Sequence, residues 1–111
     1  IFYGPLSGTH SADLEILGNA EQRWFGSSVN TAGDLNGDGR TDLLVYSGDT
    51  SYPLSLFYGP ITASTADETD AEISCSPDAC NGTSAGDVNG DGMDDLLTWS
   101  YTTRYLFLGG Y

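Results

Sequence analysis

Short apolar runs separated by turn signals recur along the whole chain, and none of them keeps a helical period. "RWFGSSVNTA" (23–32) is aromatic and β-branched, "TDLLVYSG" (41–48) is a compact apolar run, and "YPLSLFYGP" (52–60) alternates apolar and polar residues before a Gly-Pro stop. A fourth kind of segment occurs as "SADLEILG" (11–18) and "ADETDAEISC" (66–75), where Leu14 and Ile16, then Ala71 and Ile73, fall on alternate positions. Alternation over four to eight residues places successive side chains on opposite faces of an extended chain, so these segments predict strands. "ASTADETDA" carries polar residues suited to a helix start but no large apolar ones, which predicts a surface connection.

The segments repeat. "GDLNGDGRTDLLV" (33–45) returns as "GDVNGDGMDDLLT" (86–98), an offset of 53, while Phe2, Phe57 and Phe107 form a second series offset by 55 and then 50. Two markers with one period of about 50 residues and four short strands per period match a β-propeller blade. A β-sandwich of about nine strands fits the same length, but nothing in a sandwich requires its hairpins to repeat in sequence. The predicted fold class is therefore all-β, with about two four-stranded antiparallel blades. Counting the segment before the acidic turn as strand 1, the chain reads 3–4, then 1–2–3–4, then 1–2–3. Residues 1–18 would be the last two strands of a preceding blade, 19–75 a complete blade, and 76–111 the first three strands of the next. A propeller needs about 4–8 blades. The expectation is a fragment of a longer array, opening mid-strand at "IFYGP", or a chain that self-associates through open blade edges.

The acidic turn concentrates oxygen donors. Counted from Asp34, positions 1, 3, 5 and 9 are Asp34, Asn36, Asp38 and Asp42, and in the second copy Asp87, Asn89, Asp91 and Asp95. Position 7 changes from Arg40 to Met93, as expected if only its backbone carbonyl faces inward. Gly37, Gly39, Gly90 and Gly92 allow the left-handed turns that wrap a chain around an ion. Three carboxylates, one amide and one carbonyl suit Ca²⁺, which takes 6–8 oxygens, with a bidentate aspartate or water completing the shell. Mg²⁺ suits this loop less, because it keeps its waters. Two Ca²⁺ sites are expected; the alternative is a solvated turn without an ion. An EF-hand needs Glu at position 12, where this chain has Val45 and Thr98 in strand-like runs, so an EF-hand is excluded.

"WFGSSVNTAGDLNGDGRTDLLVYSG", together with "LFYGP", resembles an FG-GAP repeat, the blade unit of integrin α-subunit propellers and of many bacterial secreted proteins. Phe25-Gly26 stand for the FG and Tyr58-Gly59-Pro60 for the GAP-like end. The resemblance implies a calcium loop between the first and second strands of each blade. It also implies adhesion or ligand binding without catalysis. In the second copy Asp78-Ala79 replace Phe25-Gly26, beside Cys75 and Cys80.

Charge narrows the partners. Sixteen acids against three arginines (Arg23, Arg40, Arg104) and no lysine give a net charge of −13, which excludes nucleic acid and anionic membrane surfaces as partners and favours divalent cations. No run of 18 apolar residues is present, so no membrane insertion is expected. Cys75 and Cys80 would close a small loop as a disulfide; two free buried thiols are the alternative. The acidic, lysine-free composition suits an extracellular protein, secreted or on the cell surface.

Nothing assembles a catalytic centre. His10 lies in a polar connection, G-x-S-x-G is absent, and Glu68/Asp70 and Asp94/Asp95 read as loop acids rather than a glycosidase pair. "NGT" (81–83) is a formal N-glycosylation acceptor. The expected function is a non-catalytic, calcium-stabilised propeller segment binding a protein or glycan. The rivals are a carbohydrate-binding module using Trp99 or Tyr101, and the accessory propeller of a secreted polysaccharide-degrading enzyme.

Overall fold

A computed structural model describes residues 1, 3–4, 8, 11–18, 24–48, 53–74 and 81–110. Seven strands run in chain order: β1 (Ser28–Gly33), β2 (Asp42–Tyr46), β3 (Leu54–Phe57), β4 (Ala71–Ile73), β5 (Asn81–Gly86), β6 (Asp95–Trp99) and β7 (Arg104–Phe107). They form two antiparallel meanders, a four-stranded sheet ordered β1-β2-β3-β4 and a three-stranded sheet ordered β5-β6-β7. Each sheet pairs consecutive strands, as short connections allow.

The repeat seen in the sequence is a repeat of register. Ser28 pairs with Tyr46 and Val29 with Val45 in the first sheet; Asn81 pairs with Trp99 and Gly82 with Thr98 in the second. Both first strands end in an irregularity before the glycine, at Thr31/Gly33 and at Ser84/Gly86. Gly33 and Gly86 have φ of 74° and 73°, a conformation that costs a side-chain-bearing residue but not glycine.

The first sheet is apolar on both faces, which modifies the half-buried alternation expected for β3. All four of its residues are buried, Ser55 included. On the face toward the second sheet, Ala32, Leu35, Leu44, Leu54, Leu56 and Leu96 form a core flanked by Tyr46, Ile73, Tyr105 and Phe107. On the opposite face, Val45, Phe57 and Ala63 pack with Ile16, Phe25, Leu43 and Ile61. Phe25 meets Phe57 edge-on, with ring centroids 6.5 Å apart and planes at 81°, an arrangement the ring quadrupoles favour. Each fully buried leucine contributes about 1.5–3 kcal/mol, so the inter-sheet core is the main force holding the sheets together.

β1 and β5 add polar contacts between the sheets. Asn30 Nδ2 donates to Gly82 O at 2.9 Å and to Asn81 Oδ1 at 3.3 Å, while Asn81 Nδ2 donates to Ser28 Oγ at 3.0 Å. The glycosylation acceptor Asn81 is thus engaged in the junction between sheets.

Two expectations meet a different outcome. The described residues of 1–18 carry no strand; Leu17 makes a single parallel bridge to Thr65. The surface connection expected over 63–71 contains a 3-10 turn, Ala66–Glu68. Glu68 Oε2 accepts the N–H groups of Ser64 and Thr65 at 2.6 and 2.9 Å, and the buried Ala66 supplies the apolar anchor. His10, Cys75 and Cys80, and with them the disulfide expectation, lie outside the described residues.

Candidate functional site

Each acidic loop joins the first strand of its sheet to the second, β1 to β2 and β5 to β6. The strand before it ends at a left-handed glycine, and the strand after it starts on a buried aspartate. Between them the chain closes on its own carboxylates. Asp34 Oδ1 accepts N–H from Gly37 and Asp38 at 2.8 and 3.0 Å, and Oδ2 accepts from Gly39 at 2.8 Å. Asp38 Oδ1 accepts from Arg40 N–H at 2.8 Å. In the second loop Asp87 takes Gly90, Asp91 and Gly92 at 2.7, 3.1 and 2.8 Å, and Asp91 takes Met93 at 2.9 Å. Gly92 N–H, joined by Gly90 and Asp91, favours the ionised form of Asp87 and lowers its pKa.

Asp42 and Asp95 do something else. Asp42 is buried, and its two oxygens accept Leu35 N–H and Gly59 N–H at 2.8 and 2.9 Å. Asp95 accepts Val88 N–H and Gly109 N–H, both at 2.8 Å. One carboxylate at the start of the second strand therefore ties the exit of the first strand to the end of the third. Burial raises the Asp42 pKa, with the charges of Asp38 and Asp34 pushing the same way against the two amides.

The donor set, all oxygen, suits a hard cation in kind. As placed, the carboxylates turn toward the loop's own amides, and among the described residues no three acidic, histidine or cysteine side chains gather as a metal site. Position 1 and position 9 of each loop both serve the backbone, each oxygen keeping further acceptor capacity.

The structure also separates acids that the sequence left together. Asp95 is buried in its sheet, whereas Asp94 reaches across to the other sheet: Asp34 N–H donates to Asp94 Oδ2 at 2.9 Å, and Asp94 N–H donates to Asp34 O at 2.9 Å. Gly110 N–H adds a bond to Leu35 O at 2.7 Å. Sequence reasoning missed this contact; its one signal was position 8 of the loop, Thr41 in the first copy and Asp94 in the second. Glu68 and Asp70 are likewise apart in role, the first capping its 3-10 turn and the second accepting Tyr58 N–H at 2.7 Å. Trp99 is half-buried in β6 and Tyr101 is exposed on the β6–β7 turn.

A family model for the FG-GAP-like repeat matches residues 34–98, more than half of the chain and spanning both acidic loops. The chain belongs to the FG-GAP-like repeat family. No curated protein and no solved structure matched it. The FG-GAP match begins at the first aspartate of one loop and ends in the second strand after the other, so it covers one whole period of the repeat. The two antiparallel sheets are consistent with blades of such a module.

Proposed function

We propose that this FG-GAP-like chain is a calcium-stabilised β-propeller segment of an extracellular protein, serving adhesion or ligand binding and carrying no catalytic centre of its own. The observation that carries the reading is the duplicated loop, DxNxDGxxD, lying between first and second strands in both sheets. Asp34, Asn36, Asp38 and Asp42, with the Arg40 carbonyl, would hold one ion; Asp87, Asn89, Asp91 and Asp95, with the Met93 carbonyl, the other. Bound Ca²⁺ would neutralise carboxylates that otherwise repel, and binding free energy would become folding free energy. The net charge of −13 supports attraction of divalent cations.

Calorimetric titration of the metal-stripped chain tests this, with two Ca²⁺ bound per chain as the expected result. A melting temperature equal in excess EDTA and in saturating Ca²⁺ would sink the calcium reading. A glycan-binding reading keeps one supporting observation, the exposure of Tyr101 on a turn. Hits on a glycan array that Tyr101→Ala abolishes would establish it in place of a protein ligand.

A further inference from the structure

Glycine follows asparagine three times in this chain, at 36–37, 81–82 and 89–90, and follows aspartate twice, at 38–39 and 91–92. Such a bond can react with itself. The glycine nitrogen, unhindered by a side chain, attacks Cγ of the residue before it and closes a five-membered succinimide. What each glycine N–H meets in the fold therefore decides which of these bonds is open to that chemistry.

In the acidic loops one carboxylate holds both nitrogens. Asp34 Oδ1 accepts Gly37 N–H and Oδ2 accepts Gly39 N–H, each at 2.8 Å. Asp87 holds Gly90 N–H at 2.7 Å and Gly92 N–H at 2.8 Å. Its negative charge opposes loss of the proton that each nitrogen must shed before attacking. The loop asparagines are also turned elsewhere, since Asn36 Oδ1 accepts Asp38 N–H and Asn89 Oδ1 accepts Asp91 N–H, both at 3.3 Å.

Asn81–Gly82 is held differently. Gly82 N–H donates to Asn81 Oδ1 itself at 2.8 Å, so the nucleophile and the carbonyl it would attack already face each other. Asn30 Nδ2 donates to the same oxygen at 3.3 Å and polarises that carbonyl. Asn81 is half-buried, within reach of water, at the first residue of β5. Its Nδ2, the nitrogen that would leave, donates to Ser28 Oγ at 3.0 Å.

We propose that Asn81 is a self-modifying deamidation site in the junction between the sheets, and that Asp34 and Asp87 keep the loop bonds closed to the same reaction. Hydroxide takes the Gly82 amide proton, and the nitrogen forms a bond to Asn81 Cγ. The Cγ–Nδ2 bond breaks, Nδ2 takes a proton from water and leaves as ammonia. Water then opens the succinimide at either of its two C–N bonds, giving aspartate or isoaspartate at position 81. Both products lose the Nδ2 donor to Ser28, and isoaspartate adds a backbone carbon at the start of β5. The reaction therefore loosens the contact between β1 and β5 with time and alkalinity, and removes the glycosylation acceptor.

The test ages the full chain in mildly alkaline buffer, with Ca²⁺ and with excess EDTA, and follows each bond by peptide mass mapping and by enzymatic methylation of isoaspartate. Asn81 should convert first in both buffers. Asn36 and Asn89 should convert about tenfold more slowly, the factor that about one hydrogen bond to a charged group corresponds to. Asp34→Ala should speed Asn36 and Asp38 by about that factor while Asn89 and Asp91 stay slow, and Asp87→Ala should do the converse. The isoaspartyl chain, separated by ion exchange, should unfold at a lower urea midpoint than the unconverted chain. The proposal is overturned if Asn36 or Asn89 converts ahead of Asn81, or if the converted and unconverted chains share one midpoint. It is equally overturned if either variant speeds both loops alike, which would make general unfolding the cause.

Discussion

Asp34 and Asp94 exchange two hydrogen bonds across the junction between sheets, Asp34 N–H to Asp94 Oδ2 and Asp94 N–H to Asp34 O, each 2.9 Å. The first residue of one acidic loop is thereby fixed by the other loop. Leaving the Asp34 amide without its acceptor costs about 1–3 kcal/mol. Asp94→Ala should lower the urea midpoint accordingly, and Asp94→Asn, which keeps an acceptor oxygen, should cost less.

Gly33 and Gly86 offer a matched pair for the same contact. Both have φ near 73–74°, so alanine is strained equally at each, but only at Gly33 does the added carbon collide with Asp94 and Ser84. Gly33→Ala should therefore destabilise more than Gly86→Ala in parallel denaturation curves. Equal losses would mean that the junction is looser than its geometry indicates.

Asp42 holds two backbone amides with one buried carboxylate. Asp42→Ala orphans Leu35 N–H and Gly59 N–H, with an expected loss of about 2–6 kcal/mol at about 1–3 per buried donor. Asp42→Asn should fall between, because its NH₂ group faces a donor. The loss should persist in EDTA, and a loss confined to Ca²⁺-containing buffer would assign the residue to the ion alone.

Removal of Ca²⁺ should lower the melting temperature, by an amount that depends on free ion concentration. At about 100 times the dissociation constant a single site contributes about 2.7 kcal/mol. Differential scanning calorimetry across a Ca²⁺ series measures this, and the rise should continue with the logarithm of concentration.

Acid should weaken the turn at Ala66–Glu68. The amides of Ser64 and Thr65 lower the Glu68 pKa in the folded chain. A lowered carboxylate pKa contributes stability that is present above the unfolded value, about 4.3, and lost as pH falls through the folded value. Asp42 acts with opposite sign, since burial raises its pKa and its charging penalty is relieved in acid. The stability difference between the native chain and Glu68→Gln should shrink as pH falls below about 4. A difference independent of pH would show that Glu68 acts by shape alone.

Much of this molecule was legible in its sequence because its signals are local. The loop glycines and aspartates bond within five residues of one another, as Asp34 does with Gly37 and Gly39. The alternation and the repeat likewise placed β2, β3 and β4 within the segments 41–48, 52–60 and 66–75, and all of β1 but its last residue, Gly33, within 23–32. What stayed hidden is nonlocal. Asp94 and Asp95 are neighbours in the chain with similar character, yet one faces into its own sheet and the other across to the next, because successive residues point opposite ways. Ser55 reads as a solvent-facing strand residue and is buried, since a second apolar layer of Ile16, Phe25 and Ile61 covers that side of the sheet.

The sequence by itself determined the repeat, the strand-forming segments and the two acidic loops between first and second strands. These depend on period, on glycine's access to positive φ and on carboxylates reaching nearby amides. Only the tertiary structure decided which face each strand buries and which aspartate joins the sheets. It also decided that the Asn81 amide of the glycosylation motif is spent on Ser28 and Asn30. The physical reason is that stacking the sheets brings together residues more than 50 positions apart, and no window along the chain contains both partners.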